Sequence, residues 1–226
     1  MFDMYYLVLV VPTILLSFFA QIMVKSTFSK YSHIKSSKKI SGRDVANMLL
    51  RANNIQQVAI QQVRGSLTDH YDPSAKVVRL SEPVYGETSI AAIGVAAHET
   101  GHAIQHAVSY GPLGLRSALV PIAQIGSSVG PLLAMGGIFL SMPLLLNLGI
   151  ILFGGSVLFY VITLPVEFNA SARAIVILRS NHVLSEEELM GVKKVLTAAA
   201  MTYVASALTA LMSFLRLILI ARDRSK

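Results

Sequence analysis

Three long segments without Asp, Glu, Lys or Arg constrain this 226-residue chain more than any other feature. They cover residues 4–24, 117–166 and 195–215. A helix of about 20 apolar residues crosses a bilayer, and the middle segment is long enough for two such helices. The pattern therefore predicts a mainly α membrane protein with about four transmembrane helices. It excludes an ordinary cytosolic globular protein, a disordered chain and a small secreted domain.

The polar segment after the first hydrophobic block predicts one modest water-facing domain of the α+β class. Residues 26–39 are rich in Ser and Lys, which is typical of a linker or a short interfacial helix. The elements expected after it are a helix opened by a capping-box variant at Ser41, a strand within 55–63, a turn at 68–73, a strand at 76–80 and a helix from Thr88 or Ser89 to about 107.

The formal net charge of +7 would suggest a nucleic-acid partner in a soluble protein. Here the basic residues cluster directly after the first hydrophobic block, and they are not interleaved with aromatic residues. This pattern favours a basic flank that contacts anionic lipid headgroups, and it argues against nucleic-acid binding. The chain has no cysteine, so a transition metal would need His and carboxylate ligands.

Basic residues also predict the orientation of the chain in the membrane. Eleven Lys and Arg lie between the first and second expected spans, and four lie between the third and fourth. Both segments fall on the same side, which the positive-inside rule assigns to the cytoplasm. The N-terminus and the four basic residues after the last span would then lie outside, the latter against the rule.

The strongest local motif is His98-Glu99-Thr100-Gly101-His102, in a segment predicted to be helical. Positions four apart on a helix differ by about 40° in direction, so both imidazoles face one point. Glu99 is turned by about 100° and can reach a water bound there. The motif predicts a hydrolytic Zn²⁺ site, and the alternative is a pair of histidines that meet no metal.

A third protein ligand is expected, and Glu167 is the main candidate. It is the only carboxylate between Glu99 and Glu186, and we expect it to open a helix at the membrane surface. An acid at that depth is costly unless it is paired or ligates a metal, although a helix-start carboxylate favoured by the dipole is the alternative. His106 is rotated by about 80° from His98 and fits an outer or surface position better.

Several segments resemble the YugP family of bacterial membrane zinc metallopeptidases, over about residues 4–220. These segments are HETGHAIQH at 98–106, LTDHYDP at 67–73, RLS at 79–81, LRSALVP at 115–121, LPVEFNAS at 164–171 and TYVA at 202–205. The resemblance implies a zinc-dependent peptidase in the bacterial cytoplasmic, or inner, membrane.

The order of parts is more distantly similar to the HtpX and CAAX-prenyl proteases. In those proteases, a Glu in a Glu-x-x-x-Asp motif is the third ligand, which makes the site gluzincin-like. Glu167 matches that Glu and Ala170 matches a residue often found before the Asp. Ser171 replaces the Asp itself, so a hydroxyl would have to orient a ligand histidine without supplying charge.

The expected mechanism has one Zn²⁺ per chain held by His98, His102 and Glu167, with Glu99 as the general base. A donor for the developing oxyanion is also needed. The candidates are Arg173, His182 and Tyr203. The substrate is expected to be a protein or peptide, including membrane proteins, and the residues proposed to bind it as an edge strand are Val77, Val78, Arg79 and Leu80. The alternative for that strand is a paired core strand.

Two other functions compete with this interpretation. A membrane scaffold or adaptor could keep a metal-bound fold without turnover, although a scaffold has no need of Glu99. A transporter would need ionisable residues within the spans, and the three hydrophobic blocks contain no Asp, Glu, Lys or Arg. The sequence does not predict the oligomeric state or the cleavage preference.

These expectations divide the chain into six parts around a zincin-like domain. Residues 1–24 are expected to be a retained anchor, since they lack the basic start of a cleavable signal peptide. The remaining parts are a cytoplasmic-side metallopeptidase domain with the HExxH helix at 25–116, a transmembrane hairpin at 117–166, a cytoplasmic-side helix with the third ligand at 167–194, a transmembrane helix at 195–220 and a basic tail at 221–226.

Overall fold

The computed structural model describes residues 3–224 of the chain. A short π-helical segment at Tyr6–Val10 leads into the first α-helix. The helices are α1 (Val11–Ser32), α2 (Gly42–Ala52), α3 (Glu82–Tyr85), α4 (Ile90–Ala107), α5 (Gly111–Phe139), α6 (Pro143–Ser180) and α7 (Glu186–Arg224). The strands are β1 (Ala59–Val63), β2 (His70–Asp72) and β3 (Val77–Ser81).

Four helices of the described chain are long and apolar enough to cross a bilayer. They are Tyr6–Ser32, Gly111–Phe139, Pro143–Ser180 and Glu186–Asp223. Together with the three-stranded sheet they confirm the predicted class, a mainly α membrane protein with a small α+β part. Residues 225 and 226 of the predicted basic tail, and residues 1 and 2 of the predicted anchor, lie outside the described residues.

The chain forms two compact units. The membrane-helix unit contains the described residues up to Gln21, Gly114–Pro165 and the described residues from Met201 onward. The metal-centre unit contains Ile22–Leu113 and Val166–Ala200. The finer division into six parts stays a prediction.

Close helix packing in the membrane-helix unit depends on glycine. A Cβ placed on Gly149 of α6 would lie 2.3 Å from the backbone nitrogen of Ala134 on α5. No side chain fits at that distance, so the glycine allows the two backbones to approach. The turn between these helices covers only residues 140–142, and Pro143 suits the first position of α6, where a backbone N–H has no partner within the helix.

Two helix boundaries differ from the prediction. Helix α1 continues to Ser32, so it takes up the first part of the expected linker at 26–39. Glu167 does not open a helix but lies inside α6, which is continuous past Pro165. A proline inside a helix removes one backbone hydrogen bond and crowds the preceding turn, but membrane-spanning helices tolerate it, and Ala170, Ala172 and Ala174 favour the helix after Glu167.

The predicted helices of the metal-centre unit are confirmed at their starts. The Ser41 side chain accepts a hydrogen bond from the Asp44 backbone nitrogen, and Ser89 accepts one from that of Ala92. These caps satisfy backbone donors that the first helical turn leaves without partners. The main hydrophobic core of this unit includes buried side chains from α2, β3 and α4.

The sheet has the strand order β1-β3-β2, with β1 parallel and β2 antiparallel to β3. Strand β2 lies where only a turn was expected. The tight turn comes just after it, because the Asp72 carboxylate accepts hydrogen bonds from the backbone nitrogens of Ser74 and Ala75. Asp and Pro at 72 and 73 therefore mark the end of a strand.

The prediction that Val77, Val78, Arg79 and Leu80 form an edge strand is wrong. They lie in β3, which is the central strand and pairs with β1 on one side and β2 on the other. Val77, Val78 and Leu80 are buried. The backbone groups that an added peptide would need are taken by neighbouring strands, so the alternative of a paired core strand is correct.

Candidate metal centre

Helix α4 brings the two motif histidines to the same face. Small residues such as Ala96 and Ala97 are fully buried and let neighbouring elements pack closely around the helix. His98 and His102 are one turn apart, with ring centroids 4.8 Å from each other and planes at 86°. The predicted convergence of the imidazoles is therefore present.

Helix α6 supplies the third group. Glu167 is 2% exposed, and its Oε2 lies 3.3 Å from His98 Nε2 and 3.5 Å from His102 Nε2. Gly101 permits this approach, since a Cβ there would lie 2.7 Å from the carbonyl oxygen of Ala170. The glycine of the motif thus lets the two ligand-bearing helices meet.

The three side chains fit a zinc ion. One ligand atom from each of His98, His102 and Glu167 lies within 4.8 Å of the others. Ligand atoms that bind zinc at about 2.0–2.1 Å in a tetrahedral arrangement lie about 3.3–3.4 Å apart, which matches both distances to Glu167. Two imidazoles and a carboxylate are also a donor set typical of hydrolytic zinc sites, which keep one position for water.

Each histidine has a partner for its second ring nitrogen. The Nδ1 atom of His98 lies 3.1 Å from Ser171 Oγ, and that of His102 lies 3.0 Å from Gln105 Oε1. Such partners leave Nε2 of each ring beside Glu167 Oε2, where it could bind a metal ion. Ser171 therefore occupies the position in which a hydroxyl was expected to orient a histidine.

The chain matches, over residues 6–222, the family described as "Putative neutral zinc metallopeptidase". The chain belongs to this family. It is 50% identical over 217 residues to the "Putative membrane protease YugP" of Bacillus subtilis (strain 168), and the match covers 96% of each chain. No solved structure matches this chain. The resemblance noted from the sequence is confirmed, and the family implies zinc, a protein substrate and a lipid environment.

In this member of the zinc metallopeptidase family, Glu99 lies on α4 between the two histidines and is 8% exposed. Burial raises the pKa of its carboxyl above the ordinary value, and His98 and His102 offset part of that rise. A base with a raised pKa takes up a proton more readily, which suits general-base catalysis.

His102 has a raised pKa for a different reason. Burial by itself lowers the pKa of this imidazole, but the hydrogen bond with Glu167 and the charge of Glu99 outweigh burial. In the metal-free protein, His102 therefore takes up a proton beside Glu167 more readily than an exposed histidine does. A metal ion has to displace that proton in order to bind.

The structure separates the three candidates for oxyanion stabilisation. Arg173 is half-buried on α6, and its Nε donates a 2.7 Å hydrogen bond to Asn169 Oδ1. Tyr203 lies on α7 in the membrane-helix unit, and its role stays a prediction. His182 is not brought to the ligands, because it follows the end of α6, about 20 Å along the helix from Glu167.

His106, the third histidine of α4, is exposed, in agreement with the outer or surface position expected from the sequence. His106 Nδ1 lies 2.7 Å from the hydroxyl of Tyr71, so the ring contacts strand β2. It is absent from the three-residue group of potential ligands found among residues 3–224.

Two polar residues near the site were not predicted from the sequence. Gln105 is fully buried and joins α4 to α6. Asp69 is a partly buried acid whose two oxygens accept hydrogen bonds from the backbone nitrogen and hydroxyl of Ser81, and partial burial raises its pKa. The position of Gln105, three residues after His102 and on the same helix face, could have identified it.

Proposed function

We propose that this protein is a zinc-dependent endopeptidase that hydrolyses peptide bonds of proteins at the membrane surface. The observation that carries the proposal is the spacing of Glu167 from both histidines, 3.3 and 3.5 Å, with Glu99 buried beside them. The family relationship supports the same activity.

His98, His102 and Glu167 would hold one zinc ion per chain, which supplies a Lewis acid that activates water and polarises the scissile carbonyl. The Glu99 carboxylate accepts the proton of the attacking water and later delivers it to the leaving amine. The raised pKa of Glu99 supports the first transfer, because burial makes this carboxylate a stronger base than an exposed one.

Negative charge on the substrate carbonyl oxygen needs a donor from the protein. Arg173 is our first candidate, because it lies on the same helix as Glu167 and Asn169 fixes its Nε. That contact leaves the terminal nitrogens of the guanidinium as donors. Tyr203 is the second candidate.

We place the protein in the bacterial cytoplasmic membrane as a multi-pass protein, with the metal centre facing the cytoplasm. The distribution of Lys and Arg between the apolar segments supports this orientation. A metal centre whose third ligand lies on an apolar helix suits substrates at the membrane surface, including membrane proteins.

The test compares wild-type protein with Glu99→Gln, both purified in detergent without a His-tag. Zinc is measured by elemental mass spectrometry, and peptidase activity is measured with fluorescein-labelled casein. We expect about one zinc per chain in both proteins. We expect activity to fall about 10²- to 10⁴-fold in Glu99→Gln, since the general base is lost.

Glu187→Gln is the matched control, because this acid is exposed and lies on α7 within the metal-centre unit. It should retain both zinc and activity. Wild-type protein without zinc would contradict the proposal. Zinc without cleavage in wild type, and no effect of Glu99→Gln, would favour a metal-binding scaffold.

A further inference from the structure

Gln105 is a fully buried amide with all of its strong donors in use. Its Nε2 donates to the backbone carbonyl of Val166 at 2.8 Å and to Asn169 Oδ1 at 3.0 Å. Its Oε1 lies 3.0 Å from His102 Nδ1. A buried amide is costly without partners, so three contacts from one side chain define its position strongly.

The backbone carbonyl of Val166 fixes which way this amide faces. A carbonyl oxygen can only accept, so the nitrogen of Gln105 has to point towards Val166. The oxygen of the amide then faces His102. The reversed amide would place its oxygen against two other acceptor oxygens and lose both hydrogen bonds.

The orientation of the amide in turn fixes the proton on His102. Because Oε1 of Gln105 can only accept, Nδ1 of His102 has to be the donor. Nε2 of the neutral ring then carries the lone pair, and it is Nε2 that lies 3.5 Å from Glu167 Oε2. The tautomer that can bind zinc through Nε2 is therefore selected by a neighbour on the same helix.

The same amide reaches the helix segment that carries the third ligand. Val166 directly precedes Glu167, and Asn169 follows it by two residues. Asn169 is held in turn, because its Oδ1 also accepts a hydrogen bond from Arg173 Nε. One side chain thus contacts a histidine ligand on α4 and the backbone beside the carboxylate ligand on α6.

We propose that Gln105 is a positioning residue of the metal centre. It keeps the proton of His102 on Nδ1 so that Nε2 binds the metal, and it holds the segment around Glu167 against α4. The inference rests on the proposed zinc site, but its test measures metal binding and needs no turnover.

The test compares two substitutions that separate these contacts. Gln105→Met has a similar size and makes none of the three hydrogen bonds. Gln105→Glu keeps an acceptor for His102 Nδ1 but loses both donors to α6. Gln62→Met is the matched control, since Gln62 is exposed on β1 in the same unit. Zinc affinity is measured by competition with a chelator, site geometry by the visible absorption of the cobalt(II) protein, and folding by thermal unfolding followed by circular dichroism.

We expect Gln105→Met to bind zinc about 10- to 100-fold more weakly and to show an altered cobalt spectrum. Gln105→Glu should keep most of the wild-type zinc affinity, although its unfolding temperature should fall at least as far as that of Gln105→Met. If Gln105 had only a packing role, zinc affinity and unfolding temperature would fall together in both variants. Gln62→Met should change neither quantity.

Wild-type affinity and spectrum in Gln105→Met would overturn the inference and leave the proposed peptidase intact. Equal loss of zinc affinity in the Met and Glu variants would overturn the assigned role in His102 protonation. If Gln105→Met does not fold, Gln105→Glu carries the test alone, since a zinc affinity reduced by about 10-fold or more contradicts that role. Absence of zinc from the wild-type protein would instead refute the proposed function.

Discussion

In the membrane-helix unit the carboxylate of Asp3 is neutralised by a guanidinium, whereas in the metal-centre unit Glu167 lies against two imidazoles. Arg216 Nη2 is 2.6 Å from Asp3 Oδ2, and this arginine holds the pKa of Asp3 below its ordinary value. The partners of Glu167 are His98 and His102, at 3.3 and 3.5 Å.

The two kinds of partner allow different chemistry. An arginine is always protonated, so it gives Asp3 a permanent counter-charge within the chain. Histidines release their protons near neutral pH and then offer lone pairs to a metal. Glu167 therefore lies in a site where the histidine protons can be replaced by zinc. Asp3, which pairs with a permanently charged arginine, contributes only to the stability of the fold.

The largest expected effect comes from removing the carboxylate at the metal centre. Glu167→Ala should leave two ligands, so zinc should be lost during purification, and peptidase activity should be lost with it. Elemental mass spectrometry of the purified variant checks this, with Glu187→Ala as the control at an exposed acid of the same unit. Retention of one zinc per chain in Glu167→Ala would show that the ligand assignment is wrong.

Removing the metal should make the stability of this unit depend on pH. The raised pKa of His102 means that the metal-free fold binds its proton more tightly than the unfolded chain does. This contribution is present at low pH and is lost as pH rises through the folded-state pKa. We therefore expect the unfolding temperature of chelator-treated protein to fall over the range from about pH 6.5, the ordinary pKa of histidine, to more alkaline pH.

Zinc-loaded protein is the control for that titration, because the metal replaces the proton at His102. Its unfolding temperature should not show this fall. The stabilisation by zinc should consequently grow as pH rises. A chelator-treated protein whose unfolding temperature is constant over this range would contradict the assigned His102–Glu167 contact.

The sequence predicts the parts of the site that depend on local periodicity. His98, Glu99 and His102 lie on one helix, so their spacing alone specifies their directions. Glu167 is 65 residues beyond His102, but it stands out because it is an acid in an otherwise uncharged region. The apolar blocks specify the membrane class in the same direct way.

What the sequence does not predict depends on pairing between distant segments. Strand β2 is three residues long and rich in polar side chains, so β3 is identified as central only when both neighbours are seen. Gln105 is uncharged, so it does not stand out in the sequence. Its hydrogen bonds to Val166 and Asn169 on α6 are seen only in the structure. Pro165 suggests a helix break, but α6 continues through it.

The smallest expected effect comes from the pair in the membrane-helix unit. Arg216→Gln removes the counter-charge of Asp3 and the stacking of the guanidinium on the Tyr6 ring, 5.2 Å away. Both partners are partly exposed, so we expect a loss of about 1–2 kcal/mol, seen as a fall of a few degrees in the unfolding temperature in detergent. Arg222→Gln, which removes an exposed cation on the same helix, is the control and should have a smaller effect.

Zinc content should stay at the wild-type level in both variants, because the Asp3–Arg216 pair compensates charge without binding metal. A loss of zinc in Arg216→Gln would mean that the Asp3–Arg216 pair also affects metal binding, and it would contradict the contrast between the partners of Asp3 and those of Glu167.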